Sequence, residues 1–247
     1  MKRVFPIFAV LTALLLGYAF YEAMWVAPME RTMGDVQRIF YYHVPSAWTA
    51  FLLFFVNLVA SVIYLARRNI KADAVAVVSA EVGVVFCTVV LVTGPIWARP
   101  VWGIWWTWDI RLTTTLVLWL IYVSYLMLRR FSDSSQTPKL AAVLAIFGAL
   151  DVPLVYFSIW FFRTQHPQPV IGGGGSIDPR MLHVLLINWL AFSCFAFLIC
   201  WARYRVEIMQ REVEEAQALE SLDGSSSHMA PSSKFALNKT PSELGLQ

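Results

Sequence analysis

The chain has 247 residues, of which 58% are hydrophobic and only 14% charged, and its mean hydropathy is +0.60. Soluble domains carry about a quarter charged residues, so composition excludes an ordinary soluble fold and predicts a polytopic membrane protein. The net charge of +3 is modest and no basic cluster is interleaved with aromatics, which sets aside a nucleic-acid surface. Cys87, Cys194 and Cys200 lie in apolar runs without a CxxC or CxxCH pattern, which sets aside structural disulfides and a covalently attached prosthetic group.

A helix crossing ~30 Å of hydrocarbon needs about 20 apolar residues. In chain order, six segments meet that need: Val4–Ala27, Pro45–Ala66, Ala74–Ile96, Leu112–Leu128, Leu140–Phe162 and Leu182–Ala202. The first follows Lys2 and Arg3 in the manner of a secretory leader. It is longer than an ordinary leader core, and no small-residue cleavage site precedes Met29, so it is read as a span. Lys and Arg favour the N-terminus, the second and fourth connections and the segment after span six: Lys2, Arg3, Arg67, Arg68, Lys71, Arg129, Arg130, Lys139, Arg203 and Arg205, ten in all. The other three connections hold six: Arg31, Arg38, Arg99, Arg111, Arg163 and Arg180. Positive charge accumulates on the cytoplasmic side, so both termini are expected in the cytoplasm, with the three longer connections outside. The expected fold class is an all-α membrane protein with six transmembrane helices and a Trp-rich outward-facing connection. Its organisation is a six-span domain over 1–205, a cytoplasmic helical extension over 206–222 and a disordered tail over 223–247, where Gly, Ser and Pro dominate. His228 lies in that tail and is set aside.

Five of the eleven tryptophans fall between Trp97 and Trp108, on the third connection. An interfacial aromatic belt places Trp at membrane boundaries, but a belt spreads one or two aromatics over each helix end. Trp102, Trp105, Trp106 and Asp109 follow i, i+3, i+4, i+7 spacing, so a short helix there would present three indoles on one face. Such a face is a flat apolar platform with N–H handles, suited to an apolar ligand or a partner.

Three of the four histidines map to the same outward side: His43 before span two, His166 after span five and His183 at the start of span six. Each is compatible with an interfacial hydrogen-bonding role. Together they place imidazoles on the two connections that flank the platform. Heme suits this combination, because its iron takes axial imidazoles, its porphyrin prefers aromatic walls and its propionates favour arginine. Arg38 and Arg111 are the candidate propionate partners, with headgroup contact or ion pairing as the plainer use of each. Asp109 is placed to orient Arg111 or to cap span four. A zinc or copper site is the competing use of two histidines, although structural zinc wants four ligands and leaves the tryptophans unexplained.

Glu81 and Asp151 are the charged outliers inside spans. An ionised Asp at mid-helix costs ~3 kcal/mol on insertion scales, so Asp151 is expected to be protonated, paired or facing a cavity. Pro153 frees a carbonyl in the preceding turn. That carbonyl, Asn57 and Asn188 are the expected partners, and a proton or substrate pathway is the alternative.

The run VWGIWWTWDIRLT, Val101 to Thr113, looks like the tryptophan-rich WWD signature of heme-handling proteins in cytochrome c biogenesis. With RIFYYHVP at Arg38–Pro45 and SIDP at Ser176–Pro179, the chain resembles the cytochrome c maturation C (CcmC) family over about Met24 to Trp201. The resemblance implies a heme-handling protein rather than an enzyme. It implies a non-covalent heme b held outside the inner membrane and passed to a membrane-anchored periplasmic heme chaperone (CcmE-like). On this chain it assigns His43 and His166 as axial ligands of the heme iron, with His183 the alternative second ligand. It assigns Trp102, Trp105, Trp106 and Trp108 as the porphyrin platform, and Arg38, Asp109 and Arg111 as propionate or supporting residues. Ile104 departs from the small polar residue usual in the signature, and Gly172–Gly175 lies between His166 and SIDP. The chain has no P-loop, so ATP dependence falls to partners, implied to be ABC-transporter-type subunits and a small membrane subunit; no nucleic acid is involved. The alternatives are a b-type electron-transfer cytochrome, disfavoured because its histidines usually lie deep in the spans, and a scaffold whose Trp-rich loop binds a partner protein.

Overall fold

The computed structural model describes residues 3–132, 134–162, 164–167 and 177–229, and for 222–229 the backbone alone. It contains seven long helices: α1 (Val4–Tyr21), α2 (Phe40–Arg67), α3 (Ile70–Trp102), α4 (Ile110–Phe131), α5 (Thr137–Ala149), α6 (Asp151–Phe161) and α7 (Pro179–Met229). Six continuous or near-continuous helical segments are long and apolar enough to cross a membrane, with α5 and α6 forming one of them. The chain is therefore a multi-pass helical membrane protein, as its hydropathy predicts. Among the described residues no strand occurs beyond an isolated Glu30–Gly34 bridge.

Local chemistry sets the element ends. Arg68 ends α2 in a left-handed conformation (φ 52°), and the Asn69 side chain then accepts from the N–H groups of Lys71 and Ala72 to cap α3. Gly103 (φ 79°) closes α3 with its N–H on the Arg99 carbonyl at 3.0 Å. The fifth span is interrupted at Leu150. Pro153 has no N–H to offer the Ala149 carbonyl, so the helical ladder fails one turn upstream of it.

Several helices run beyond their sequence-predicted bounds. The first turn of α2 includes His43, and α3 continues through Trp97, Pro100 and Trp102 before the connection begins. The short helix expected over Trp102–Asp109 is absent: residues 103–105 bend and 106–109 are irregular. Helical geometry cannot continue past the left-handed Gly103, so the i, i+3, i+4, i+7 spacing there does not translate into a common face.

The chain divides into two units, Met1–Glu207 and Ile208–Gln247. In the first, α2 and α3 pack closely because Gly83 admits the Phe54 ring: a Cβ at 83 would lie 2.7 Å from that ring. Phe54 stacks on Tyr122 of α4 at 3.8 Å between centroids. Ala141 and Ala145 let α5 approach the same core, the small-residue mode of helix association in lipid. Asn57 donates to the Ala76 carbonyl at 2.6 Å, so a buried amide also links α2 to α3.

The charged outliers are largely paired. Arg129 makes a two-pronged contact with the buried Asp73 at 2.8 and 2.7 Å, and Glu81 meets Arg203 of α7 at 2.8 Å. Asp151 departs from expectation. Among the described residues its buried Oδ2 has no hydrogen-bond partner; Asn57 donates instead to Ala76 and Asn188 to the Ala19 and Val184 carbonyls. Its electrostatic neighbour is Cys87.

In the second unit α7 continues to Met229, seven residues past the 222/223 boundary expected from composition, and the side chains from Glu212 to Ser221 are exposed. Residues 230–247 of the expected tail lie outside the described residues, as do Gly172–Gly175 and Ser176.

Candidate functional site

The site is built from the start of α2, the end of α3, the irregular connection before α4 and the segment after α6. His43, in the first turn of α2, turns toward α3, where its Nδ1 lies 2.9 Å from Thr93 Oγ1. The ring lies against α3 at Gly94, where a Cβ would stand 3.4 Å from His43 Cε1, at the edge of ordinary contact.

His166 is placed by the backbone and by a carboxylate. Asp109 caps α4 by accepting from Leu112 N–H at 3.0 Å, so the capping role expected for it is realised. Its other oxygen accepts from the Thr164 hydroxyl at 3.0 Å and from Thr107 at 3.3 Å. The Thr164 hydroxyl in turn accepts from His166 N–H at 3.1 Å. A single carboxylate thus joins the Trp-rich connection to the segment carrying His166. The His166 ring donates from Nδ1 to the Pro167 carbonyl at 2.9 Å.

His43, His166 and Arg111 form one electrostatic neighbourhood. His166 and Arg111 both act on His43, while Arg111 and Asp109 both act on His166. Desolvation first, and then the Arg111 charge, pull the His166 imidazole down to about 4, against the opposing effects of the Pro167 carbonyl and Asp109. The ring is therefore neutral at physiological pH, the form that binds a metal.

Arg111 is half-buried, and its Nη1 is buried with no protein hydrogen-bond partner. Buried donors are almost always satisfied, so a guanidinium N–H with no partner among the described residues suits an acidic ligand. Trp106 Nε1 is similarly buried and unpartnered. The residues fit a heme: two imidazoles for iron, an orphaned cation for a propionate, and indoles beside them.

Four of the tryptophans meet in two edge-to-face pairs. Trp97 and Trp102 meet edge-to-face at 5.2 Å in the last turns of α3, and Trp106 and Trp108 do so at 5.8 Å in the connection. Trp105 and Trp108 are 59% and 75% exposed. Arg38 faces the segment just after α1: it donates to the Ala23 carbonyl at 2.8 Å and pairs with Asp35 at 3.0 Å. It lines a separate cavity of about 480 Å³ with Met24, Asp35, Ile39 and Tyr42. His183 is exposed at the start of α7. Among the described residues no three His, Cys, Asp or Glu side chains gather as a metal-ion cage.

Sequence reasoning missed Thr93, Gly94 and Thr164. Thr93-Gly94-Pro95 lies in an apolar span, where a hydroxyl is more often bonded to its own helix, and only the tertiary approach of His43 gives it a second partner.

Comparison with known proteins decides the family. The sequence profile of the CcmC family, heme exporter protein C, matches residues 1–219. The chain belongs to the heme exporter protein C family. It is 35% identical to heme exporter protein C of Bradyrhizobium diazoefficiens, with 98% of this chain and 93% of that protein aligned. It is 34% identical to a cytochrome c biosynthesis ccmC-like mitochondrial protein of Marchantia polymorpha (74% and 78%), and 33% identical to heme exporter protein C of Escherichia coli K12 (78% and 77%). The resemblance carried by the WWD run, RIFYYHVP and SIDP is thus borne out at family level.

Proposed function

We propose that this heme exporter protein C family member holds heme b non-covalently on the periplasmic face of the bacterial inner membrane and hands it to a membrane-anchored chaperone for cytochrome c maturation. The observation that carries this reading is the convergence of His43 and His166, from separate elements, around an Arg111 whose buried Nη1 lacks a partner.

Heme is cargo in this scheme. His43 and His166 supply neutral axial imidazoles, Arg111 meets a propionate, and Trp105, Trp106 and Trp108, with Trp102 behind them, line the porphyrin edge. Asp109 holds the geometry by joining α4 to the His166 segment. Arg38 serves as a second anion contact only by leaving Asp35. No covalent step is needed: release requires only that an incoming chaperone imidazole replace one of two neutral ligands at an exposed edge. Any ATP dependence of release falls to ABC-transporter-type subunits, with a small membrane subunit completing the assembly.

The test is spectroscopic. Purified protein supplemented with hemin is expected to show a Soret band that shifts in His43→Ala and in His166→Ala and is lost in the double variant. A double variant with the parental spectrum sinks the ligand assignment. A heme that exchanges electrons with quinone but never leaves the protein favours the cytochrome alternative.

A further inference from the structure

Thr93 Oγ1 lies 2.9 Å from His43 Nδ1 and 2.6 Å from the Val89 carbonyl oxygen one turn back in α3. A hydroxyl has one proton and two acceptor sites, and a carbonyl oxygen can only accept. The shorter contact therefore takes the Thr93 proton, leaving oxygen lone pairs to face the imidazole. A neutral imidazole nitrogen facing a lone pair must carry the hydrogen, so Nδ1 is protonated and Nε2 is bare. Val89 lies in the same helix, so the direction of the hydroxyl is fixed by α3 itself and not by a mobile loop. The ring lies against the helix at Gly94, next to Thr93.

We propose that Thr93 is a positioning residue that locks His43 in the Nδ1-protonated tautomer and aims its unprotonated Nε2 at the heme iron. The inference rests on His43 being a heme ligand and deepens that reading. A ligating histidine whose other ring nitrogen donates to a fixed acceptor is both oriented and made more basic. A more basic ligand favours ferric iron, so removing the acceptor raises the midpoint potential as well as weakening binding. The two imidazoles are held differently. The His43 ring is tied to a membrane-spanning helix, whereas among the described residues the His166 ring bonds the carbonyl of the next residue, Pro167.

The experiment uses the full chain in lipid nanodiscs with ¹⁵N-labelled histidine, comparing the parent, Thr93→Val and Thr93→Ser. Thr93→Val keeps the shape and loses the hydroxyl; Thr93→Ser keeps the hydroxyl. In the heme-free parent and in Thr93→Ser, the His43 resonances are expected to report a proton on Nδ1, and in Thr93→Val a substantial population with the proton on Nε2. After hemin loading, Thr93→Val is expected to bind about 10-fold more weakly, with a more positive midpoint potential, and Thr93→Ser to restore both. A parent carrying the proton on Nε2, or a Thr93→Val protein with parental tautomer, affinity and potential, overturns the proposal. His43→Ala separates the two claims. A parental Soret band in that variant overturns the ligand reading itself, whereas a shifted band there with parental behaviour in Thr93→Val overturns only the role of Thr93.

Discussion

Arg111 shows how much one side chain reveals when its hydrogen bonds are followed. A guanidinium carries five donors and stays charged. With Nη1 buried and unpartnered, the site is incomplete without an acceptor. Arg38, picked out by the same sequence logic, already has the Ala23 carbonyl and Asp35. The two arginines therefore differ in what substitution removes. Arg111→Gln is expected to weaken hemin binding by about 10- to 100-fold, the equivalent of a hydrogen bond to a charged group, and Arg38→Gln by much less, both read from Soret titrations. Equal losses in the two variants contradict the assignment of Arg111 as the principal propionate contact.

At the scale of elements, Asp109 does two jobs with one carboxylate. It caps α4, and through Thr164 it holds the segment that carries His166. Loss of an N-cap costs about 1 kcal/mol, while loss of the Thr164 contact frees the His166 segment. Asp109→Ala is expected to lower thermal stability modestly and to change the axial-ligand spectrum. Thr164→Val is expected to change the spectrum with little effect on stability. Parental spectra in both variants show that the link does not position His166. Gly83 supplies a contrasting test away from the site. A Cβ there meets the Phe54 ring at 2.7 Å, so Gly83→Ala is expected to destabilise the α2–α3 pair by roughly 1–3 kcal/mol through overpacking. A parental melting temperature in detergent contradicts that packing account.

Element ends account for most differences between the expected and observed structures. The hydropathy of span three falls away near Ile96, but the helix runs on to Trp102 because Pro95 and Pro100 do not stop it and Gly103 does. The helical spacing of Trp102, Trp105, Trp106 and Asp109 is present in the sequence without the helix that gives such spacing meaning. Periodicity describes side-chain placement only where the backbone is regular, and a left-handed glycine ends that regularity within one residue.

For the whole molecule, sidedness is the remaining structural proposal. The distribution of Lys and Arg predicts cytoplasmic termini and an outward connection over Trp97–Arg111. Cysteines introduced singly at Ile104 and at Ser221, in a background with Cys87, Cys194 and Cys200 replaced, are expected to react with a membrane-impermeant maleimide in intact cells at 104 only. The reverse pattern inverts the orientation and moves the site to the cytoplasmic side.

Six spans were legible in the chain because hydropathy is local and additive: each segment declares its preference for lipid regardless of its neighbours. The family was legible because the WWD run and RIFYYHVP are contiguous. The partners of the buried polar groups were not. Asn57, Asn188 and Asp151 looked interchangeable in sequence, yet the two amides donate to backbone carbonyls, a bond that the Asp151 carboxylate has no N–H to make. The Asp109–Thr164 link that holds the His166 segment, and the electrostatic effect of His166 on His43, likewise arise only on folding. The physical reason is range: partition into lipid depends on a residue's own side chain, whereas a hydrogen bond or a shared ligand depends on where a distant segment has been carried.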